Sequence, residues 1–246
     1  MDLDHVALAT TDAGPALATL VGELGGLVLS GGQSRGFRPV QVRLGDANDG
    51  MTVELLEPWD VEHNDFLARF LARHGDGPHH LTVKVDDFDA ALEAVRATGR
   101  TPVGVSRGDP HWQEAFLVPA EACGTVVQLA AQDFPWDFAA RYSSVERDGP
   151  MASPAWWPAL PPRAPVTARL CRVVLRTPDR VAARRFFGDL LGGEESSSGP
   201  VTTELVWPGG ARLCLEDGDG LVGIDRLELA GAAPERRVAG TRVVGS

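Results

Sequence analysis

A short pattern that occurs twice near the N-terminus constrains the fold of this chain more than any other feature. In spans 3–12 and 78–87 a histidine, His5 or His80, heads a stretch in which apolar residues alternate with small or polar ones, and an aspartate follows seven residues after the histidine. Such alternation predicts a β-strand with one packed face and one open face that presents the imidazole. Because a helical pattern follows each strand, the self-similarity predicts a repeated structural module.

The residues after each strand extend the repeat in the same order. Apolar residues at helical spacing from Leu17 to Leu24 predict a helix that ends at Gly25, and Asp87 or Asp89 begins the corresponding helix of the second copy. A further helix is predicted over 64–74. The predicted strands lie near 3–10, 27–30, 40–44, 52–56, 80–85, 102–105, 114–118 and 125–130. Residues 1–131 are therefore predicted to form two βαβββ modules joined by a helix.

The C-terminal part repeats the pattern less completely. Residues 172–179 keep the strand and the aspartate, but Arg172 stands where the two histidines stood. The further predicted elements are a helix over 180–191 and strands near 202–207, 211–216, 223–229 and 237–244. They complete a third module and only begin a fourth one. An exposed sheet edge on an unfinished module would invite pairing with a second chain, so a homodimer is one assembly to expect.

Proline and tryptophan mark the segment between these two parts. Trp136, Trp156 and Trp157 alternate with prolines over 132–167, a composition that favours a strap lying on a folded surface over a flexible linker. The chain is therefore predicted to be of the α+β class. Its expected domains are 1–131, the strap 132–167 and a degenerate module at 168–246.

Charge and cysteine usage exclude several classes of function. The formal net charge of −11 argues against nucleic acid as a partner, because phosphate contacts need clustered Lys and Arg. Cys123, Cys171 and Cys214 are isolated, which predicts small buried residues and neither a disulfide framework nor a zinc site. The sequence shows neither a secretion leader nor an apolar run long enough for a membrane span, so we expect a cytoplasmic protein without a membrane partner.

Four stretches add detail to the repeat: Val53-Glu54-Leu55-Leu56-Glu57-Pro58, the helix at 66–71, Gly77-Pro78-His79-His80, and Ala115-Phe116-Leu117-Val118-Pro119. Together with a histidine on the first strand and an acid or amide on the last, they resemble the vicinal oxygen chelate superfamily of glyoxalases, bleomycin resistance proteins and extradiol dioxygenases. The resemblance covers 1–131 well and 168–216 weakly, and it is strongest to the methylmalonyl-CoA epimerase branch. It implies paired modules that form a curved sheet cleft around a divalent metal.

Carried over to this sequence, the resemblance implies the metal ligands His5, Glu54, His80 and Gln128. The spacing agrees, because Glu54 follows His5 by 49 residues and Gln128 follows His80 by 48. Strand parity places all four side chains on the face opposite the apolar residues. Two imidazoles, a carboxylate and an amide oxygen suit Mn, Fe, Co, Ni or Zn as the divalent cofactor. The module at 168–246, with Arg172 in place of the histidine, is expected to lack a metal site.

Two departures from the family bear on catalysis. Gln128 stands where the family has a glutamate, and an amide cannot act as a base. The epimerases also carry a glutamate in the loop before the third strand, but residues 30–36 contain no carboxylate. Both expected bases of an epimerase are therefore missing. Glu114 and His111 are the replacement acid/base candidates, beside Glu54 as the charged ligand.

Three hypotheses about function remain open from the sequence. The first is a metal-dependent isomerase, epimerase or lyase that stabilises an enolate-like or chelated oxyanion of a small carbonyl or acyl thioester substrate. A metal with only one carboxylate ligand keeps a positive charge, which favours an anionic substrate. The second is an Fe(II) dioxygenase that uses His5, His80 and Glu54. The third is a small-molecule-binding protein without catalysis, which the loss of both bases would suit.

Overall fold

The computed structural model describes residues 1–109, 111–132, 138–150, 160–218, 222–231 and 234–246. Over these ranges the chain is a mixed α+β protein with two multi-stranded sheets and few helices. This confirms the fold class predicted from the repeat.

The first sheet contains eight strands. They are β1 (Asp2–Ala9), β2 (Leu27–Gly31), β3 (Gly36–Gly45), β4 (Gly50–Trp59), β5 (Gly77–Lys84), β6 (Val103–Asp109), β7 (Trp112–Leu117) and β8 (Val126–Ala131). Their order is β2-β3-β4-β1-β5-β8-β7-β6, so each half of the sheet is one module. The first strands of the two modules, β1 and β5, are therefore neighbours at its centre, and the predicted histidines lie on them.

The second sheet contains seven strands. They are β9 (Leu170–Thr177), β10 (Glu194–Ser198), β11 (Thr202–Val206), β12 (Arg212–Asp217), β13 (Gly223–Leu229), β14 (Arg236–Val238) and β15 (Thr241–Gly245). Their order, β10-β11-β12-β9-β13-β15-β14, repeats that of the first sheet with one strand fewer. In this order β9 takes the place of β1, and β13 takes the place of β5.

The aspartate seven residues after each strand's basic residue has a structural role. The helices are α1 (Ala13–Leu17), α2 (Phe66–His74), α3 (Phe88–Ala97), α4 (Phe138–Asp148) and α5 (Arg180–Arg184), and both α1 and α5 continue as π-helical segments (Ala18–Glu23 and Arg185–Leu190). Asp12, Asp87 and Asp179 cap α1, α3 and α5, each by accepting a hydrogen bond from a backbone N–H of the first turn. The spacing from strand to aspartate therefore sets where each helix begins.

Three elements differ from the prediction. Helix α4 lies within the segment predicted as a strap, because Tyr142 and Val145 bury an apolar face against Leu29. The tryptophans of that segment, Trp136, Trp156 and Trp157, lie outside the described residues. Strand β10 was not predicted, since its five residues are all exposed and show no apolar alternation.

The single strand predicted over 237–244 is a hairpin of β14 and β15. Ala239 and Gly240 both have positive φ, of 44° and 72°, which is the backbone of a tight two-residue turn. Alanine rarely adopts such a φ, so the sequence did not indicate the turn.

The described residues divide into two compact units. One comprises Met1–His5, His80–Trp136 and Arg172–Arg226, and the other comprises Val6–His79, Asp137–Cys171 and Leu227–Ser246. The core of the first unit includes Leu92, Val127, Phe186, Phe187 and Trp207, all at most 2% exposed. In the second unit, Leu67 and Leu71 of α2 pack on Ala7, Ala9 and Leu56. The domain bounds predicted at 131 and 168 stay a prediction.

No helix among the described residues has both the length and the apolar character that a bilayer span requires.

Candidate metal centre

Three of the four predicted ligands come together on neighbouring strands. His5 lies on β1, Glu54 on β4 and His80 on β5, three adjacent strands at the centre of the first sheet. Each offers one ligand atom, and these three atoms lie within 4.8 Å of one another. Among the described residues, this is the group of histidine, cysteine and acidic side chains that converges closely enough to hold a metal ion.

The site is more enclosed than the strand pattern predicted. His5, Glu54, His80 and Gln128 are only 1%, 9%, 4% and 6% exposed, so the face expected to be open is buried. Burial extends to both faces of the central strand β4, because its residues from Gly50 to Glu57 are buried at every position. The His5 and His80 rings meet edge to face, with centroids 5.8 Å apart. A charge introduced here interacts in a medium of low dielectric constant.

His5 is held on one side by a carboxylate that the sequence analysis did not identify. Its Nδ1 lies 2.7 Å from Oδ2 of Asp4. Oδ1 of the same carboxylate lies 2.9 Å from Nζ of Lys84, and both side chains of this ion pair are largely buried. Burial raises the pKa of Asp4, but Lys84 and His5 outweigh burial and hold that pKa well below its usual range. Asp4 is therefore an ionised acceptor for His5.

Lys84, on β5 four residues after His80, pairs with Asp4. No sequence signal indicated this contact, because Asp4 precedes His5 directly and adjacent strand residues usually point to opposite faces. Arg43 on β3 donates from Nε to the carbonyl of Asp46 and stacks on Phe138.

On its other side His5 begins a chain of polar contacts. Its Nε2 lies 2.9 Å from the hydroxyl of Thr82, which donates to Oε1 of Gln128 over 2.6 Å. Nε2 of Gln128 donates in turn to Oε2 of Glu114 over 2.7 Å. The amide orientation of Gln128 is thus fixed at both ends. Thr82 lies opposite Gln128 in the parallel pairing of β5 and β8, which explains their contact.

The remaining predicted site residues have distinct environments. Glu54 accepts a hydrogen bond from Nε2 of Gln41, its partner across β3 and β4. Glu114 is partly buried and also accepts from Nε1 of Trp112. His111 is exposed at the start of β7, and its backbone N–H donates to Asp109. Glu114 thus joins the polar chain of the site, whereas the backbone N–H of His111 contacts Asp109, two residues away.

The donor set fits a divalent transition metal. Two imidazole nitrogens and one carboxylate are the ligands that Mn, Fe, Co, Ni and Zn accept, and three protein ligands leave positions for substrate or water. A carboxylate that holds the second ring nitrogen of a ligating histidine is a common support of such sites. The Asp4 carboxylate supports His5 in this way, at Nδ1 of the ring.

The second sheet carries ion pairs on the corresponding strands. Arg172 on β9 pairs with Glu204, and Arg226 on β13 makes two hydrogen bonds with Glu216, at 2.6 and 3.0 Å. On β13, Arg226 is followed by the buried Leu227 and Leu229. On β5, His80 is followed by the buried Leu81 and Val83, so Arg226 and His80 occupy corresponding positions.

These features can be compared with known proteins. The family model of the Glyoxalase/Bleomycin resistance protein/Dioxygenase superfamily matches residues 4–116. None of the curated proteins matches the chain.

Several solved structures are similar to this chain. A hypothetical protein from Bacillus halodurans is 24% identical, over 55% of this chain and 96% of that chain, with a TM-score of 0.48. A methylmalonyl-CoA epimerase from Mycobacterium tuberculosis is 25% identical over 54% and 89% of the two chains, with a TM-score of 0.47. A variant of the Streptomyces coelicolor methylmalonyl-CoA epimerase, in complex with 2-nitronate-propionyl-CoA, is 24% identical over 55% and 99%, with a TM-score of 0.48.

The family match begins just before His5 and includes Glu54, His80 and Glu114, but it ends before Gln128. It therefore covers the three converging ligands and confirms the resemblance seen in the sequence. Residues 4–116 of this chain are therefore similar to the glyoxalase, bleomycin resistance protein and dioxygenase superfamily.

Proposed function

We propose that this protein is a metal-dependent enzyme of the vicinal oxygen chelate type, which stabilises an anionic oxygen of a small substrate. The observation that carries the proposal is the convergence of the ligand atoms of His5, Glu54 and His80 within 4.8 Å in a buried site. A bound divalent metal would supply Lewis acidity to a substrate oxygen. The reaction class we propose is isomerisation, epimerisation or elimination on a small carbonyl or acyl thioester compound.

The charge of the site supports an anionic substrate. Two neutral histidines and one carboxylate leave a divalent ion with about one positive charge. The ion pair of Asp4 with Lys84 adds no net charge beside His5. Because the site is buried, an enolate or carboxylate oxygen would be stabilised there more strongly than in water.

Proton transfer needs a group other than Gln128, since an amide is not a base. We propose Glu114 for this role, because its carboxylate is joined to the site through Gln128 and remains partly accessible. An acid/base role for His111, which is exposed, stays a prediction. A reaction that moves a proton between two faces of a carbon would need a second group as well.

Metal analysis of the purified protein tests the proposal. We expect close to one divalent ion per chain, and we expect His5→Ala, His80→Ala or Glu54→Gln to lose it, because each variant removes one of three ligands. His63→Ala is the matched control, since His63 is an exposed histidine paired with Asp60. A chain that binds no Mn, Fe, Co, Ni or Zn after loading would contradict the proposal and leave a non-catalytic binding protein.

One observation favours a second candidate, an Fe(II) dioxygenase. Oε1 of Gln128 accepts a hydrogen bond from Thr82, and without this amide as a ligand the group of His5, Glu54 and His80 is a set of two histidines and one carboxylate. Non-haem iron oxygenases use that set with open positions for oxygen and substrate. Under this alternative the iron-loaded protein consumes oxygen with a catechol-type substrate, measured with an oxygen electrode, and His63→Ala does so equally. Absence of oxygen uptake by protein with one bound Fe(II) would reject this candidate but not the first.

The proposal extends to partners and location. We propose a small anionic molecule as the substrate and a homodimer as the assembly. We also keep the cytoplasm as the proposed location, since the three cysteines are free thiols, which that compartment keeps reduced.

A further inference from the structure

The two ring nitrogens of His5 have different partners, and this difference identifies the nitrogen that can bind a metal. Nδ1 lies 2.7 Å from the Asp4 carboxylate, which can only accept a hydrogen bond, so Nδ1 carries the proton. In the neutral ring Nε2 then has the free lone pair. A metal ligand must offer a lone pair, so His5 can bind the ion only through Nε2.

A hydroxyl group already lies at that nitrogen. Oγ1 of Thr82 is 2.9 Å from Nε2 of His5 and 2.6 Å from Oε1 of Gln128. A threonine hydroxyl has one hydrogen, but a neutral His5 and Gln128 both present acceptors to it. In the structure this hydrogen is donated to Gln128, so a hydrogen bond from Thr82 to Nε2 of His5 requires the hydroxyl to turn from Gln128 to the histidine. When Nε2 binds a metal, the hydroxyl can donate entirely to Gln128.

We propose that Asp4 and Thr82 act on His5 in opposite directions: Asp4 directs Nε2 of His5 toward the metal, while the hydroxyl of Thr82 competes with the metal for the same nitrogen. This inference rests on the proposed metal-dependent function and adds two positioning residues to it. Neither residue is a ligand. Together they determine how tightly the site holds its ion, and Lys84 supports the arrangement by fixing the other oxygen of Asp4.

Asp4 and Thr82 have distinct predicted effects on metal affinity. Replacing the Asp4 carboxylate removes the partner that fixes the ring, and loss of such a partner typically weakens metal binding by about 10- to 100-fold. Thr82→Val keeps the shape but removes the hydroxyl, so it relieves the competition. Removal of one hydrogen bond changes an equilibrium constant by about 2- to 10-fold, so we expect binding to be tighter by that factor.

The experiment is a titration of the purified full chain with Co2+, in which the visible absorption bands of the bound ion report the binding. We expect Asp4→Asn to bind more weakly than wild type, Thr82→Val to bind more tightly, and Thr82→Ser, which restores a hydroxyl, to resemble wild type. The double variant Asp4→Asn with Lys84→Met avoids leaving a buried lysine alone, and it should show the same weakening if Asp4→Asn fails to fold.

A second measurement reports on His5 without a metal. The 15N NMR shifts of the His5 ring should show a proton on Nδ1 in wild type and a mixture of tautomers in the double variant. Weaker binding by Thr82→Val would overturn the inference, because the hydroxyl would then support the ion. Unchanged affinity in the Asp4 variants would overturn it as well. In both cases the wild-type protein still binds Co2+, so the proposed function stands. A wild-type protein that binds no Co2+ would contradict both the proposed function and this inference.

Discussion

Two adjacent histidines show how a strand separates side chains of the same type at the scale of single residues. His80 faces His5 in the candidate metal centre, whereas His79 packs edge to face against Phe66 and Phe70 of α2. Burial among these rings lowers the pKa of His79 to about 4. Alternation along β5 explains this division, because the side-chain period of a strand is two.

His79 should make stability depend on pH. An unfolded histidine has a pKa of about 6.5, so between pH of about 6.5 and about 4 the unfolded chain binds a proton that folded His79 does not. The free energy of unfolding should therefore fall as the pH drops through this window. Urea denaturation of wild type and His79→Leu at several pH values measures this, and the variant should lose part of the slope. His63→Ala, at an exposed histidine, should keep it. Equal slopes for His79→Leu and wild type would show that His79 is not the cause.

At the scale of elements, corresponding strands of the two sheets carry different chemistry on the same framework. The first strands β1 and β5 present His5 and His80, while β9 and β13 present Arg172 and Arg226. Guanidinium groups suit bidentate pairing with carboxylates, and both arginines pair with acids of their own sheet. An aspartate cap follows the strand in the first three modules, so the strand and helix frame persists without the imidazole.

The Arg226 ion pair should contribute to stability and to acid resistance. Hydrogen bonds from Arg226 hold the pKa of Glu216 below its usual range. Stability from Glu216 is then fully present above its unfolded pKa of about 4.3 and is lost as the pH falls through its lower folded value. Arg226→Met should lower the free energy of unfolding at pH 7 by about 1–3 kcal/mol, since a carboxylate loses its charged partner.

Chemical denaturation at pH 7 and at pH 3 measures both effects, and the difference from wild type should shrink at the lower pH. The matched control is Arg147→Met, because Arg147 and Asp148 form an exposed pair that should contribute less than about 0.5 kcal/mol. A loss in Arg226→Met no larger than in this control would contradict a stabilising role for the ion pair.

At the scale of the whole molecule, the repeat allowed most elements of both sheets to be predicted. Repeated local signals, namely alternation and glycine ends, do not depend on tertiary contacts. Strands β1, β2, β5, β7 to β9, β11 to β13 and helices α2 and α3 were therefore found close to their bounds, whereas β3 and β4 extend beyond the predicted 40–44 and 52–56. Elements without such signals were missed. Helix α4 depends on packing of Tyr142 and Val145, and β10 has no apolar face.

The features of the candidate site likewise fall into those that the sequence determined and those that the tertiary structure decided. The sequence by itself determined which residue types occupy repeat-equivalent positions, and therefore His5, Glu54 and His80, because position along a strand and spacing between modules are properties of the chain. Only the tertiary structure decided that the three ligand atoms converge, that the site is buried, and that Asp4 and Thr82 contact the two nitrogens of His5. The physical reason is that these contacts join residues across neighbouring strands or bend a side chain against its strand parity, and both depend on packing that no local pattern records.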